Sequence, residues 1–236
     1  MKERPILFSG PMVRAILADR KTQTRRVVKT QPGPEWNEII CGHYVPTKIN
    51  KRTGEEYPGE EVFGFADADN GWICPYGQPG DRLWVREKWK PTGLMALHPT
   101  RLSKLCGEFA YAADENQKER NRLILWRPSI HMPRWASRIT LEVTSVRVER
   151  VQEISESDAI AEGVEPNINS GYVNYLWHGN DDITQKQIDS WPWQYSNYHD
   201  AKGSFSSLWE KINAQRGYGW DVNPWVWAVE FKRITA

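Results

Sequence analysis

Ser9-Gly10-Pro11-Met12-Val13-Arg14-Ala15-Ile16-Leu17-Ala18-Asp19-Arg20-Lys21-Thr22-Gln23-Thr24-Arg25-Arg26-Val27-Val28 holds one continuous helix-to-strand transition. Ser9 is a helix-capping residue, and Pro11 suits the first helical turn, where a missing N–H costs nothing. Val13, Ile16 and Leu17 recur at helical spacing and form one apolar stripe, with Arg14 and Asp19 turned away. From Arg20 the character changes. Thr22, Thr24, Val27 and Val28 favour an extended chain, so a strand is expected over 20–28. Side chains alternate along a strand, so Lys21 and Thr24 can share a site only if Lys21 still lies in the turn.

Downstream, a turn at Pro79-Gly80-Asp81 leads into Arg82-Leu83-Trp84-Val85-Arg86. There Leu83 and Val85 share one face, and Arg82, Trp84 and Arg86 the other. A longer strand is expected from about Arg138 to Val151. Ile139, Leu141 and Val143 have one parity and Val146 and Val148 the other, a phase switch near Thr144-Ser145 of the kind a bulge makes. Ser155-Glu156-Ser157-Asp158 reads as a capped helix start with acid in its first turn, and Gly163 is a natural stop. Phe205, Leu208, Trp209 and Ile212 fall at helical spacing in a last helix over about 204–215, ahead of Gly217. After Pro224, Trp225, Trp227, Val229 and Phe231 alternate with Glu230 and Lys232 in a closing strand.

Strands thus outnumber short helices. The expected fold class is α+β, a small β-barrel or curled sheet flanked by short helices in a single domain. Three irregular stretches, about 31–78, 91–133 and 165–203, lie between the patterned segments. Loops this long are usually functional or fold into elements of their own.

The run Ala15 to Arg26 resembles the hallmark of the ASCH family, a branch of the PUA-like barrels: a helix, then a Gly-x-Lys-Thr-x-Thr-x-Arg-like turn into a strand. Asp19 stands where the family usually carries glycine. Pro79 to Val85, Arg138 to Gly163 and Trp225 to Ile234 also fit the family. The matched pieces cover under half the chain, and the irregular stretches would be insertions of its longer, phage- or prophage-type members. The resemblance implies a PUA-like barrel over residues 1–236 and one of two activities. Some members are small amidohydrolases that remove the acetyl group from N4-acetylcytidine and related nucleosides, whereas others bind RNA or act as ribonucleases. In the amidohydrolases a Lys and a Thr of the helix-to-strand motif act with a Glu of the later small helix. On this chain those positions are Lys21, Thr24 and Glu162, the catalytic candidates. Arg20, Arg25, Arg26, Trp84 and Trp135 are the candidates for contact with nucleic acid or nucleoside.

Residue chemistry fits that assignment. A threonine hydroxyl needs a nearby base, and lysine serves as one only when burial or like charge lowers its pKa. Arg20, Arg25 and Arg26 supply like charge close in sequence. A carboxylate can pass the proton on to the leaving amine, and Glu162 sits at a helix C-terminus, where the dipole disfavours negative charge. By residue type alone, the same three read as an exposed lysine, a strand threonine and a solvated helix-end glutamate, with Arg25 and Arg26 paired to carboxylates.

Charge is nearly balanced, with 31 Lys and Arg against 30 Asp and Glu, so any nucleic-acid role rests on a local site rather than a global field. The 13 Trp serve cores and base stacking alike. Several aromatics gather in 165–203: Tyr172, Tyr175, Trp177, Trp191, Trp193, Tyr195 and Tyr198 form a packed lid or a stacking surface. Cys41, Cys74 and Cys106 make an odd number, which argues against a disulfide framework and fits a reducing cytoplasm. Cys41, His43 and Cys74 lack the paired short spacing of a zinc site, so buried thiols are favoured and no metal or cofactor is expected.

No run approaches the roughly 18 apolar residues of a membrane helix, and the first residues lack a secretory signal, so a cytoplasmic protein away from membranes is expected. No Gly-rich phosphate loop, Gly-x-Ser-x-Gly elbow or His-Glu-x-x-His motif is present. The expected partner is RNA or a modified nucleoside, with DNA as a further candidate. The alternative from another class is a non-catalytic phage accessory or protein-interaction module, which would carry exposed aromatic patches.

Overall fold

A computed structural model describes residues 1–33, 36, 39–66, 70–92, 109–114, 125–164, 166–167, 174–176, 197–198 and 200–234. Strand β1 (Glu3–Leu7) and helix α1 (Gly10–Leu17) precede β2 (Gln23–Val27). Then come β3 (Gly42–Tyr44), β4 (Thr47–Ile49), β5 (Glu56–Pro58), β6 (Val62–Ala66) and β7 (Gly71–Ile73). They are followed by β8 (Arg82–Arg86), β9 (Trp89–Pro91), β10 (Phe109–Tyr111), β11 (Thr140–Arg150) and α2 (Glu156–Ala161). The chain continues through β12 (Pro166–Asn167), β13 (Asn174–Leu176), β14 (Asn197–Tyr198), α3 (Ala201–Asn213) and β15 (Trp225–Ile234). The class is α+β, mostly strands in several sheets with few helices. No helix among the described residues is long and apolar enough to cross a membrane.

The chain divides into two units, residues 1–22, 79–144 and 231–236 in the first and 23–78 and 145–230 in the second. In the first, β1 pairs in parallel with β8, Ile6 opposite Val85, and β8 pairs antiparallel with the start of β11, Thr140 opposite Trp84. Leu83, Val85, Leu141 and Val143 are buried, as their alternation requires, and so are Ile6, Val13 and Ile16. Each such side chain contributes about 1.5–3 kcal/mol by leaving water. A second cluster packs Trp89, Met132 and Ala136 with Phe109, Tyr111 and Trp135. Beside it the Arg138 guanidinium donates to Glu87 and Asp114 and lies 4.0 Å over the Tyr111 ring. Burial pushes the Glu87 carboxyl up despite the opposing pull of Arg138.

Helix α1 ends in a Schellman turn. The N–H of Arg20 donates to the Ala15 carbonyl at 2.9 Å and that of Asp19 to Ile16 at 3.0 Å, with Asp19 left-handed at φ 54°. This is the position where glycine is usual, and aspartate is among the few other residues that tolerate it. Its carboxylate accepts from Arg233 at 3.1 Å, an exposed pair of small worth. Asp19→Gly is therefore expected to stabilise the fold by about 0.5–1 kcal/mol, whereas β-branched Asp19→Val should destabilise it. Thermal unfolding of the two variants in parallel checks this; a loss on Asp19→Gly would mean that the Arg233 pair outweighs the backbone.

In the second unit β15 runs antiparallel to β2, with Thr24 opposite Val229 and Arg25 opposite Ala228. Three smaller sheets accompany this pair: β3-β6-β7, β4-β5 and β12-β13-β14. The Ser155 hydroxyl accepts the Asp158 N–H at 3.1 Å and caps α2, as its sequence suggests. Helix α3 has two acidic caps. Asp200 accepts from Gly203 at 2.6 Å, and Glu156 of α2 accepts from Ala201 and Lys202 at 2.8 and 3.1 Å. Between the helices and the strands lie Val151, Ile154, Ala159, Val164, Ala201, Phe205, Trp209 and Val226.

Two details differ from the sequence patterns. The closing strand was expected to bury one face, yet Val226 and Ala228 are buried as fully as Trp225, Trp227 and Val229. Helix α3 begins at Ala201 and buries Ser204, Phe205, Ser207, Trp209 and Asn213, leaving Ile212 exposed. The Ser207 hydroxyl donates back to the Ser204 carbonyl, and that satisfied bond lets a polar side chain face the core. The phase switch in β11 is present: Leu141 and Val143 are buried, Thr144 is exposed, and Val146 and Val148 are buried.

Strand β1 ends the strand order of the first unit and β2 that of the second, and the described residues form no closed barrel. The stretch 31–78 contains β3 to β7. Tyr172, Trp177, Trp191, Trp193, Tyr195 and Cys106 lie outside the described residues; Tyr175 and Tyr198 stand opposite one another in β13 and β14.

Candidate functional site

Lys21 lies in the turn between α1 and β2, because β2 begins only at Gln23. Its N–H donates to the Ala15 carbonyl at 3.1 Å, and its Nζ is 5.7 Å from the Phe8 ring centroid. The residue is 2 % exposed. Thr24, in β2, is 3 % exposed, and Glu162, the C-cap of α2 ahead of left-handed Gly163, is 7 % exposed. None of the three is a solvated surface group, as residue type alone would have them. Arg20 is exposed in the turn after α1.

Glu162 belongs to a charged cluster in the second unit whose centre is Arg25. The Arg25 side chain is fully buried. Its Nε donates to Glu149 at 2.8 Å, Nη2 to Asp158 at 2.9 Å and to Glu149, and Nη1 to the Gln23 amide oxygen at 3.0 Å and to Glu162 at 3.4 Å. The guanidinium also lies 5.8 Å over the Phe205 ring. Arg147 forms the outer half, donating to Glu149 at 2.8 Å and to Asp158 and Glu230. Gln23 closes the ring with its amide 3.4 Å from Glu230. Two cations thus face four carboxylates, and the excess acceptors sit on the partly exposed Asp158 and Glu230 side. The lone pairs left over on that side can accept further N–H donors.

Strand alternation puts Gln23 and Arg25 on one face of β2 and Thr24 and Arg26 on the other. Arg25 and Glu162 are therefore brought together directly, whereas Thr24 stands on the opposite face from Arg25. Arg26 is half-buried. Loss of hydration pulls its guanidinium pKa down, and the nearby Tyr76 and Glu162 oppose that pull, so the field of Glu162 reaches both arginines. Trp84 is buried with the Arg86 guanidinium 4.6 Å over its ring, and Trp135 packs against Trp89 and Phe109.

The sequence did not point to Gln23, Arg147, Glu149, Asp158 or Glu230. Arg147 and Glu149 alternate with buried Val146 and Val148, a pattern that ordinarily marks a solvated strand face. The one available signal was a run of opposite charges on that outward face, Arg147 beside Glu149, ahead of the acidic helix start at Glu156 and Asp158.

Cys74 is buried, and burial pushes the Cys41 thiol up to about 12. His43 pairs with Gln78 at 3.0 Å. Among the described residues no three His, Cys, Asp or Glu side chains gather as metal ligands. Comparison with protein-family models, with curated proteins and with solved structures gave no match for this chain.

Proposed function

We propose that this chain is an ASCH-type protein directed at a nucleobase, binding RNA or a modified nucleoside and hydrolysing an amide on the base, as in N4-acetylcytidine. The observation that carries the reading is the burial of Lys21, Thr24 and Glu162, the three positions the family motif singles out. Lysine and glutamate are rarely buried without a purpose that repays their desolvation. Lys21 also stands in the turn, the one placement compatible with a role shared with Thr24. The carboxylate excess on the Asp158 and Glu230 side of the same cluster suits the amino group of a cytosine-like base. The strand-rich α+β architecture supports the family assignment, and the PUA-like barrel that the family implies belongs to this proposal.

In this reading Lys21 takes the proton of the Thr24 hydroxyl, whose oxygen attacks the acetyl carbonyl. The carbon–nitrogen bond breaks as Glu162 passes that proton from Lys21 to the leaving amine; water then attacks the Thr24 ester, one of its protons returns to the Thr24 oxygen, and acetate leaves.

The test is conversion of N4-acetylcytidine to cytidine and acetate by the purified protein. The wild type should turn over, and Lys21→Ala and Thr24→Ala should each lose at least about 100-fold. Absence of turnover on both the nucleoside and acetylated RNA would rule out the amidohydrolase and leave a nucleic-acid binding protein. If no nucleic acid binds either, the protein-interaction alternative takes its place.

A further inference from the structure

Strand β8 turns Arg82, Trp84 and Arg86 to the face opposite the buried Leu83 and Val85. The register sets them between β1 and β11: Glu3 and Glu142 flank Arg82, Pro5 and Thr140 flank Trp84, and Leu7 stands beside Arg86. Arg134 crosses this face. Its Nε and Nη2 donate to Glu3 at 2.8 and 3.3 Å, and Nη2 donates to the Thr140 hydroxyl at 3.2 Å. The guanidinium thereby spans β8 from one neighbouring strand to the other. Arg86 lies 4.6 Å over the Trp84 ring and donates to the Ile130 carbonyl at 3.3 Å. Trp84 is only 7 % exposed, so the face presents the guanidinium rather than the indole beneath it.

Charge on this face is unequal. Glu3 is bonded to Arg134, and Glu142 to Lys232 at 3.0 Å. Hydrogen bonding to Arg134 holds the Glu3 carboxyl below its ordinary value, and the field of Arg82 adds to that pull. Arg82 and Arg86 are then left over. Both are half-buried, and among the described residues neither has a carboxylate at ion-pair distance or an acceptor for its Nε. Arg82, Arg86, Arg134 and Lys232 thus stand against Glu3 and Glu142, a surplus of positive charge that calls for an anion.

We propose that this face binds single-stranded nucleic acid, with Arg82 and Arg86 on backbone phosphates and an unpaired base laid against the Arg86 plane. A guanidinium edge pairs with phosphate in two parallel bonds, while its plane stacks on a base. Trp84 holds that plane flat on the sheet, and Leu7, 39 % exposed, offers the base an apolar neighbour. A duplex keeps its bases stacked on one another, and an acidic peptide would meet the guanidinium edges but leave the plane and Leu7 uncovered. The inference rests on the nucleic-acid part of the reading above and makes a polymer the ligand of this face; it asks nothing of the chemistry at Lys21, Thr24 and Glu162.

The experiment is fluorescence anisotropy of a labelled single strand, as RNA and as DNA, titrated with the full chain at several salt concentrations. Arg82→Gln is expected to weaken binding by about 5- to 10-fold at roughly 0.05 M salt and to reduce the slope of log affinity against log salt by about 0.7, one lost phosphate contact. Arg82→Lys keeps the charge and should keep the slope. Arg86→Lys keeps the charge but loses the plane, so binding should weaken by about 5- to 150-fold with the slope unchanged. If the wild type binds neither strand, this inference and the nucleic-acid reading fail together. Binding that Arg82→Gln and Arg86→Lys both leave unchanged overturns this inference alone. So does stronger competition by the matching duplex, or by an oligoglutamate of equal charge, which would give the face to an acidic protein. Turnover of free N4-acetylcytidine is read in a separate assay that these variants should leave unchanged.

Discussion

Replacing Arg25 with methionine is expected to cost about 3–5 kcal/mol and to lower the melting temperature by roughly 6–20 °C. The reason is the ledger of charges that Arg25 holds. Its guanidinium reaches Glu149, Asp158, Glu162 and Gln23 from a fully buried position. Methionine fills similar volume but leaves three carboxylates facing one another with only the outer Arg147 to balance them. Arg25→Lys should recover only part of the loss, because a single ammonium cannot match a planar fork bonded to four acceptors. Arg147→Met removes a partly exposed partner and should cost much less. Thermal unfolding followed by circular dichroism separates the three. If Arg25→Met costs under about 1 kcal/mol, the carboxylates are hydrated and the cluster contributes little to the fold.

Trp209→Ala is the second large effect, about 3–5 kcal/mol, the range for truncating a buried aromatic. Trp209 is buried in the core that α3 shares with Val151, Ile154 and Val226, with its ring centroid 6.0 Å from that of Phe205. Its indole N–H also donates to the Tyr218 carbonyl at 2.8 Å, tying the turn after α3 to the helix. Trp209→Phe keeps most of the packing and removes that bond, so its loss relative to the wild type reports the bond, and the gap between the two variants reports the packing. Ile212→Ala, one turn further on but exposed, should cost under about 1 kcal/mol. Chemical denaturation of the three variants decides which stripe of α3 is the core; an Ile212→Ala loss equal to that of Trp209→Ala would return the stripe to the one the sequence suggests.

Local patterns carried far in this chain. Ser9 and Pro11 marked the start of α1, the alternation of Leu83 and Val85 located β8 to the residue, and the parity change at Thr144 survived into the burial of β11. The turn at Asp19 was legible as the place where glycine was missing, and its left-handed backbone explains why glycine is usual there. What could not be read was anything decided by pairing distant segments. Val226 is buried because residues of α2 and α3 pack against it on the second face of β15, a fact that no periodicity in the strand itself encodes. The Arg25 cluster draws on β2, β11, α2 and β15. Each contributor looks like an ordinary surface charge within its own element, so only their meeting distinguishes them. Lys21, Thr24 and Glu162 were named through family likeness; composition gave no hint that all three would be withdrawn from water.

The carboxylate of Glu156 grips the first amides of α3 across 45 residues of sequence. Because Glu156 also opens α2, one carboxylate serves both helices as a hinge pin: it stands in the first turn of one and receives the first amides of the other.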